Sequence, residues 1–274
     1  MLGPDDLVLH AGTLRHASVR EFAAAARAGG FAGVSLYPGH FAEAATEGLD
    51  PADVGRLLAD AGLVYADLDV LLGWLPGERP TPGMSATEDE FYALADALGA
   101  RSLNVAHFGG PVDPDLAAEA LAGVCDRAAE HGLLITLEYL PFSGIADAAT
   151  AWEVVRRTER PNATLMFDAW HTFRGPTDEA QLRAIPGERF GSIQLNDAPT
   201  QAQEDLVAET MSARRLPGEG DAPLVDWIRL LDAQGCSAPV GVEVFSAELD
   251  ALPPEEAGRR CGEAARRVLA TARG

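Results

Sequence analysis

Five times in this chain an alanine-rich, helix-like stretch runs into glycine and passes at once into a short apolar run. The joints are Gly29-Gly30, Gly62, Gly99, Gly132 and Gly235. Glycine at such a point accepts the left-handed conformation that stops a helix, so the turn into the next strand stays short. The apolar runs at 7–11, 33–37, 64–70, 102–107, 133–138, 163–168, 191–195 and 239–244 are too continuous for half-exposed strands and read as buried parallel ones. Amphipathic helices are expected between them at 18–28, 51–61, 87–98, 114–131, 146–158, 177–184, 225–234 and 254–271. Eight βα units in 274 residues predict an α/β fold, a (β/α)₈ barrel forming one domain over residues 1–274, with its chemistry at the carboxyl ends of the strands. An open doubly wound sheet is the rival, but no Gly-x-Gly-x-x-Gly follows the first strand.

Polar side chains close several of these strands. Glu138, Asp168 and Glu243 each end an apolar run, and Gln194 sits within Ser192-Ile193-Gln194-Leu195. Repeated in successive strands, this aims several oxygen donors at one rim and suits a divalent cation. Glu138 and Glu243 are placed to flank a substrate and exchange a proton beside a carbonyl, a metal between them polarising it. His171 follows Asp168 by three residues and is read as a metal ligand, a substrate contact or an orienting group, with a purely structural histidine as the alternative. Arg174 is read equally as a substrate contact or a rim salt bridge. In the first half, His10, Tyr37, Asp67, Asp69, Asn104 and His107 point toward the same rim, with His10 and His107 as pocket residues. His16 and His40 are expected at the surface. Two connections, 71–85 and 196–224, exceed the short-loop rule and are expected as substrate walls or lids. Trp74 in the first is read either as a pocket wall or as a loop anchor.

Composition removes several chemistries. All 21 basic residues are arginine, so a Schiff-base lysine and a Walker phosphate loop are excluded. A net charge of −21 argues against a nucleic-acid partner. No run of 18 apolar residues occurs, which argues against a membrane span, and residues 1–6 lack the layout of a signal peptide. Cys125, Cys236 and Cys261 are few and widely spaced, which points to a reducing cytoplasm rather than a disulfide framework.

Leu-Glu-Tyr at 137–139, Phe-Asp-Ala-Trp-His at 167–171, Gln-Leu-Asn-Asp at 194–197, Arg-Arg-Leu-Pro-Gly-Glu-Gly at 214–220 and Val-Gly-Val-Glu-Val at 240–244 together resemble the xylose-isomerase-like TIM-barrel superfamily, the broad group of sugar phosphate isomerases and epimerases. The resemblance spans nearly the whole chain. It implies a divalent metal held by Glu138, Asp168, Gln194 and Glu243, with His171 and Arg214 on the substrate. Gln194 departs from the family, whose usual ligand there is a histidine in a His-x-Lys-Asp strand. Its neutral amide oxygen suits Mg²⁺ or Mn²⁺ better than Zn²⁺, with Co²⁺ also open. The other reading of Gln194 is a site that has lost its metal and works with its acids alone.

The function expected is a metal-dependent isomerase or epimerase of a small keto-sugar, keto-polyol or inosose, working through an enediolate. A lyase on the same scaffold is the alternative: an inosose or 3-dehydroshikimate dehydratase, or elimination from a 3-keto-glycoside. A phosphorylated substrate is disfavoured by the missing lysine and phosphate cradle. Apurinic endonucleases share the fold, but their several metal-binding histidines are missing here. A barrel that only binds is the remaining class. The partner expected is a carbohydrate-like small molecule, and the family's tendency to pair leaves a homo-oligomer open.

Overall fold

The computed structural model describes residues 2–79 and 85–274. Met1 of the acidic N-terminal stretch and residues 80–84 of the connection expected at 71–85 lie outside the described residues. Eight parallel strands form a closed barrel in sequence order: β1 (Leu7–Leu9), β2 (Gly33–Leu36), β3 (Val64–Leu71), β4 (Ser102–Ala106), β5 (Leu134–Glu138), β6 (Ala163–Asp168), β7 (Phe190–Leu195) and β8 (Val240–Val242). Pairing of β1 with β8, Leu7 opposite Val240 and Leu9 opposite Val242, closes the ring and rules out the open sheet.

The helices are α1 (Val19–Ala28), α2 (Pro38–Thr46), α3 (Pro51–Asp60), α4 (Glu88–Leu98), α5 (Pro114–Glu130), α6 (Ala148–Arg157), α7 (Ala169–Arg174), α8 (Glu179–Arg183), α9 (Leu206–Ser212), α10 (Leu224–Ala233), α11 (Ala247–Asp250) and α12 (Pro254–Arg273). Reciprocal capping boxes start α1 (Ser18 with Glu21), α3 (Asp50 with Asp53) and α4 (Thr87 with Glu90), each cap contributing about 1 kcal/mol. All five glycine joints adopt the left-handed turn, with φ between 66° at Gly30 and 81° at Gly235.

Two strands fall short of their apolar runs by more than one residue. β1 stops at Leu9 because His10 leads into a 3₁₀ turn, Leu14 N–H donating to Ala11 C=O at 3.1 Å. β8 stops at Val242 because Val244 N–H donates to the Thr13 hydroxyl at 3.0 Å instead of continuing the ladder. Glu243 therefore lies just past the strand end. Four short helices, α2, α7, α9 and α11, occupy connections that the periodicity left as loops. All lie on the carboxyl rim, in the connections that follow β2, β6, β7 and β8. Among the described residues, no helix is long and apolar enough to cross a membrane.

Candidate active site

Strand register gathers the acids. Asp168 on β6 lies opposite Gln194 on β7, and Gln194 lies opposite Gly241 on β8, so these strand ends share one level of the barrel. Asp168 also caps α7: its Oδ1 accepts from His171 N–H at 2.9 Å, leaving Oδ2 for the barrel mouth. That Oδ2 accepts from Asn196 Nδ2 at 2.8 Å and from Arg214 Nη1 at 2.9 Å. Arg214 Nη1 also faces Glu243 Oε2 at 3.7 Å, and its guanidinium lies 5.0 Å from the Phe245 ring centre. Arg214 thus serves two carboxylates while its own plane is held by an aromatic face.

Glu138 and Glu243 have different surroundings. Glu138 Oε2 accepts from Asn104 Nδ2 at 2.8 Å, and Oε1 lies 3.3 Å from His171 Nε2. Glu243 Oε1 accepts from Tyr37 OH at 3.0 Å. Burial pushes the Glu243 carboxyl up to about 8, opposed by Arg214 and reinforced by the Glu138 and Asp168 charges. For Asp168 burial also acts upward, yet Arg214 and the hydrogen bonds from His171 N–H and Asn196 outweigh it and hold the carboxyl below its ordinary value. Asp69 lies against the same cluster, hydrogen-bonded by Asn104 at 2.9 Å. Burial and the charges of Glu243 and Glu138 raise it well above the carboxylate range. One end of the barrel therefore holds acids of unequal proton affinity, the usual sign of divided acid and base roles.

These groups open onto a cavity of about 460 Å³, within the range of small-molecule sites. Tyr37, Asp69, Glu138, His171, Arg214 and Glu243 supply its polar wall. Its apolar wall includes Leu140, Met211, Phe245 and the stacked pair Phe108 and Phe142, whose ring centres are 6.1 Å apart. A second depression of about 820 Å³ shares Arg214 but is otherwise walled by rim and helix residues such as Glu219, Arg260, Glu263 and Arg267. Among the described residues, its walls include none of the strand-end acids, so the smaller cavity is the candidate site.

The donors fit a cation. Single donor atoms of Glu138, Asp168 and His171 lie within 4.8 Å of one another, as do those of His10, Asp69 and Glu243. The Gln194 amide oxygen faces Asp168 Oδ2 at 3.0 Å and Glu243 Oε2 at 3.3 Å, while its Nε2 lies 3.1 Å from His10 Nδ1. Three oxygens converge there, an arrangement that a bound cation would satisfy. Without a cation the amide gains by turning over, Nε2 donating to both carboxylates and Oε1 accepting from His10.

Residues 22–265 match the xylose isomerase-like TIM barrel family. The chain belongs to that family. Among curated members, the 3-dehydroshikimate dehydratase of Pseudomonas aeruginosa is 30% identical over 209 residues, 74% of this chain but 33% of that enzyme. The inosose isomerase of Bacillus subtilis is 27% identical over 141 residues, 51% of this chain and 50% of that one. The chain thus spans only about a third to a half of these relatives' length. Among solved family structures, the IOLI protein with a bound zinc atom superposes with a TM-score of 0.86 at 18% identity, covering 97% of this chain and 99% of that one. An L-ribulose 3-epimerase superposes at 0.72 and 19% identity, covering 100% and 96%. These likenesses at low identity speak to the fold.

The structure brings Glu138, Asp168, His171, Gln194, Arg214 and Glu243 together at one strand-end cluster. It does not place the other two expected pocket histidines on the cavity. His10 is fully buried beneath Gln194, its ring held between β1 and β8. His107 turns away, Nε2 to Gly110 C=O at 2.9 Å and Nδ1 toward Glu78 at 3.0 Å, fastening two rim loops. Trp74 is an anchor, its indole N–H donating to Ala106 C=O at 2.9 Å. Arg174 pairs with buried Glu209 of α9 at 2.7 Å, in the connection after β7 rather than in the cavity. Asp67 lies below the site with Ser102 and Ser192. His40 is a buried cavity residue, contrary to its expected surface place, and His16 edges the cavity while remaining exposed. The clue for His40 was Tyr37-Pro38-Gly39-His40: proline opens α2, and His40 Nδ1 returns to accept from Tyr37 N–H at 3.2 Å.

Proposed function

We propose that this chain is a divalent-metal-dependent isomerase or epimerase of a small keto-sugar, keto-polyol or inosose, working by proton transfer at the carbon beside the carbonyl. The carrying observation is that Glu138, at the end of β5, and Glu243, just past the end of β8, edge one cavity in unlike surroundings. Glu138 takes the proton, its Oε1 beside His171 Nε2 while Asn104 holds Oε2. Glu243 returns a proton from the other side, with Tyr37 OH fixing its carboxyl. Arg214 and His171, 3.3 Å apart, orient substrate oxygens, and the Phe108–Phe142 pair offers an apolar wall. Glu138, Asp168, Gln194 and Glu243 would hold the metal, whose charge when bound makes the C–H beside the carbonyl more acidic. Mg²⁺ or Mn²⁺ is favoured because every donor in this set is oxygen.

The second reading is dehydration, and the 30% identity to a 3-dehydroshikimate dehydratase favours it. Both begin with loss of the same proton. They differ in whether a β-hydroxyl then departs.

The test is incubation of Mn²⁺- or Mg²⁺-loaded protein with ketohexoses, inososes and 3-dehydroshikimate in deuterated water, followed by proton NMR and ultraviolet absorption. Deuterium at the carbon beside the carbonyl with an isomeric product supports the isomerase. A conjugated, ultraviolet-absorbing product supports the lyase. Neither exchange nor product with any substrate, in protein shown to bind the ion, refutes both.

A further inference from the structure

Beneath the candidate metal site runs a fully buried chain of polar side chains that the proton transfer does not use. Gln194 Nε2 lies 3.1 Å from His10 Nδ1, and His10 Nε2 faces Asp67 Oδ2 at 3.6 Å. At that distance Asp67 is a charged neighbour, and among the described residues no group hydrogen-bonds His10 Nε2. Asp67 is in turn held by the Ser102 hydroxyl, by Ser192 Oγ at 3.4 Å and by Arg101 Nη1 at 3.5 Å. The backbone makes room for the imidazole: a Cβ on Gly241 of β8 would stand 2.4 Å from His10 Nε2. The ring is therefore seated in a fitted slot between strands.

We infer that His10 and Asp67 are positioning residues that fix the sense of the Gln194 amide, and so decide whether position 194 offers the metal an oxygen or an N–H. This rests on the reading of the site as a metal site. A neutral imidazole carries one N–H. Asp67 accepts only, so it favours that hydrogen on the Nε2 facing it. Nδ1 is then a bare acceptor and draws the Gln194 NH₂ group, which leaves Oε1 turned to Asp168 and Glu243 as a ligand. With the hydrogen on Nδ1 the pattern inverts: Oε1 turns to His10, and the NH₂ group donates to both carboxylates and occupies the cation's place. A histidine ligand also has its tautomer set by an outer partner, but an amide always carries both an oxygen and an NH₂ group, so Gln194 has to be turned bodily. Outer partners of this kind typically contribute about 10–100-fold to metal affinity.

The experiment is isothermal titration of chelator-stripped protein with Mn²⁺, with far-ultraviolet circular dichroism and thermal melts to establish that each variant folds. Asp67→Asn keeps the size of the side chain but presents an N–H to His10 Nε2, forcing its hydrogen to Nδ1. It is expected to weaken Mn²⁺ binding on the order of 10–100-fold. His10→Leu removes the acceptor and serves as the second variant where Asp67→Asn fails to fold; a loss of about tenfold is expected. The decisive comparison repeats both changes in a Gln194→Glu background. A carboxylate offers oxygen whichever way it turns, so there each change is expected to leave Mn²⁺ affinity unaltered. Equal losses in both backgrounds would mean a general structural effect and would overturn the inference. Unchanged binding in well-folded Asp67→Asn and His10→Leu protein would overturn it alone. A wild type that binds no Mn²⁺ overturns the metal reading and the inference with it.

Discussion

Removing the charge from Glu243 should stabilise the metal-free protein, and only on the alkaline side. The carboxyl rises from 4.5 to about 8 because its charged form is buried, with Glu138 and Asp168 nearby and Arg214 compensating only in part. At ~1.36 kcal/mol per pH unit, that interval corresponds to about 5 kcal/mol. Below the unfolded value the group is neutral in both states and contributes no pH dependence. As pH rises between the two values, the unfolded chain releases the proton while the native protein keeps it. The native state binds more protons there, so stability falls with pH, and the loss is complete above the folded value. Glu243→Gln lacks this titration. Urea melts of chelator-treated protein, followed by tryptophan fluorescence from about pH 5 to about pH 9, should show the variant gaining on the wild type by several kcal/mol in total, up to the ~5 kcal/mol limit. Any packing or hydrogen bonding that the glutamine fails to reproduce gives a constant offset and leaves this slope unaffected. A stability difference that stays flat over the range would refute the reasoning. Saturating Mn²⁺ should shrink the pH-dependent gap, because a cation on the ionised carboxyl removes its penalty.

Tyr37→Phe removes the hydroxyl donated to Glu243 Oε1 at 3.0 Å, a bond that favours the charged form. In chelator-treated protein the fall of stability with rising pH should therefore extend to higher pH, read from urea melts across pH. Arg174→Met leaves Glu209 buried beside Trp170 without its guanidinium partner and should cost about 3–5 kcal/mol in a denaturant melt. Adding Glu209→Gln should restore much of that loss. Gly12→Ala places a Cβ 2.4 Å from the Phe245 ring and 2.8 Å from Glu243 Oε1, so turnover should fall more than the ~1–3 kcal/mol typical of overpacking suggests, read as kcat alongside a thermal melt.

The barrel was legible because its signals are local and repeated. Each glycine joint states its own turn, and each apolar run has the length of a buried strand. The strand-end acids were legible for the same reason, since ending an apolar run on a carboxylate needs no knowledge of distant residues. What escaped notice depends on tertiary partners. Nothing beside His107 says that Glu78 and the Gly110 carbonyl will hold it in the loops. Nothing beside His10 says that Gly241, on the far strand of the closure, makes a slot that sinks the ring below the cavity. The short rim helices are similarly hidden. α7 is capped by Asp168, a residue whose sequence context reads as a metal ligand, and α9 is fastened through Glu209 to Arg174 and Trp170. The Asn-Asp pair at 196–197 divides its work in a way that spacing alone does not reveal. Asn196 donates to Asp168, while Asp197 accepts from the backbones of Gly218 and Ala222 at 3.0 Å each and shapes the loop carrying Arg214.

Closure of the ring by β8 has a consequence for how the molecule is made. The ribosome delivers β1 to β7 first, and until β8 emerges both β1 and β7 expose unpaired strand edges. The same short segment that seals those edges carries Gly241, which admits the His10 ring, and delivers Glu243 to the cavity. A nascent chain lacking it has an open sheet and no Glu243 at the cavity. Closure of the ring and completion of the candidate site therefore coincide in one event, the insertion of β8.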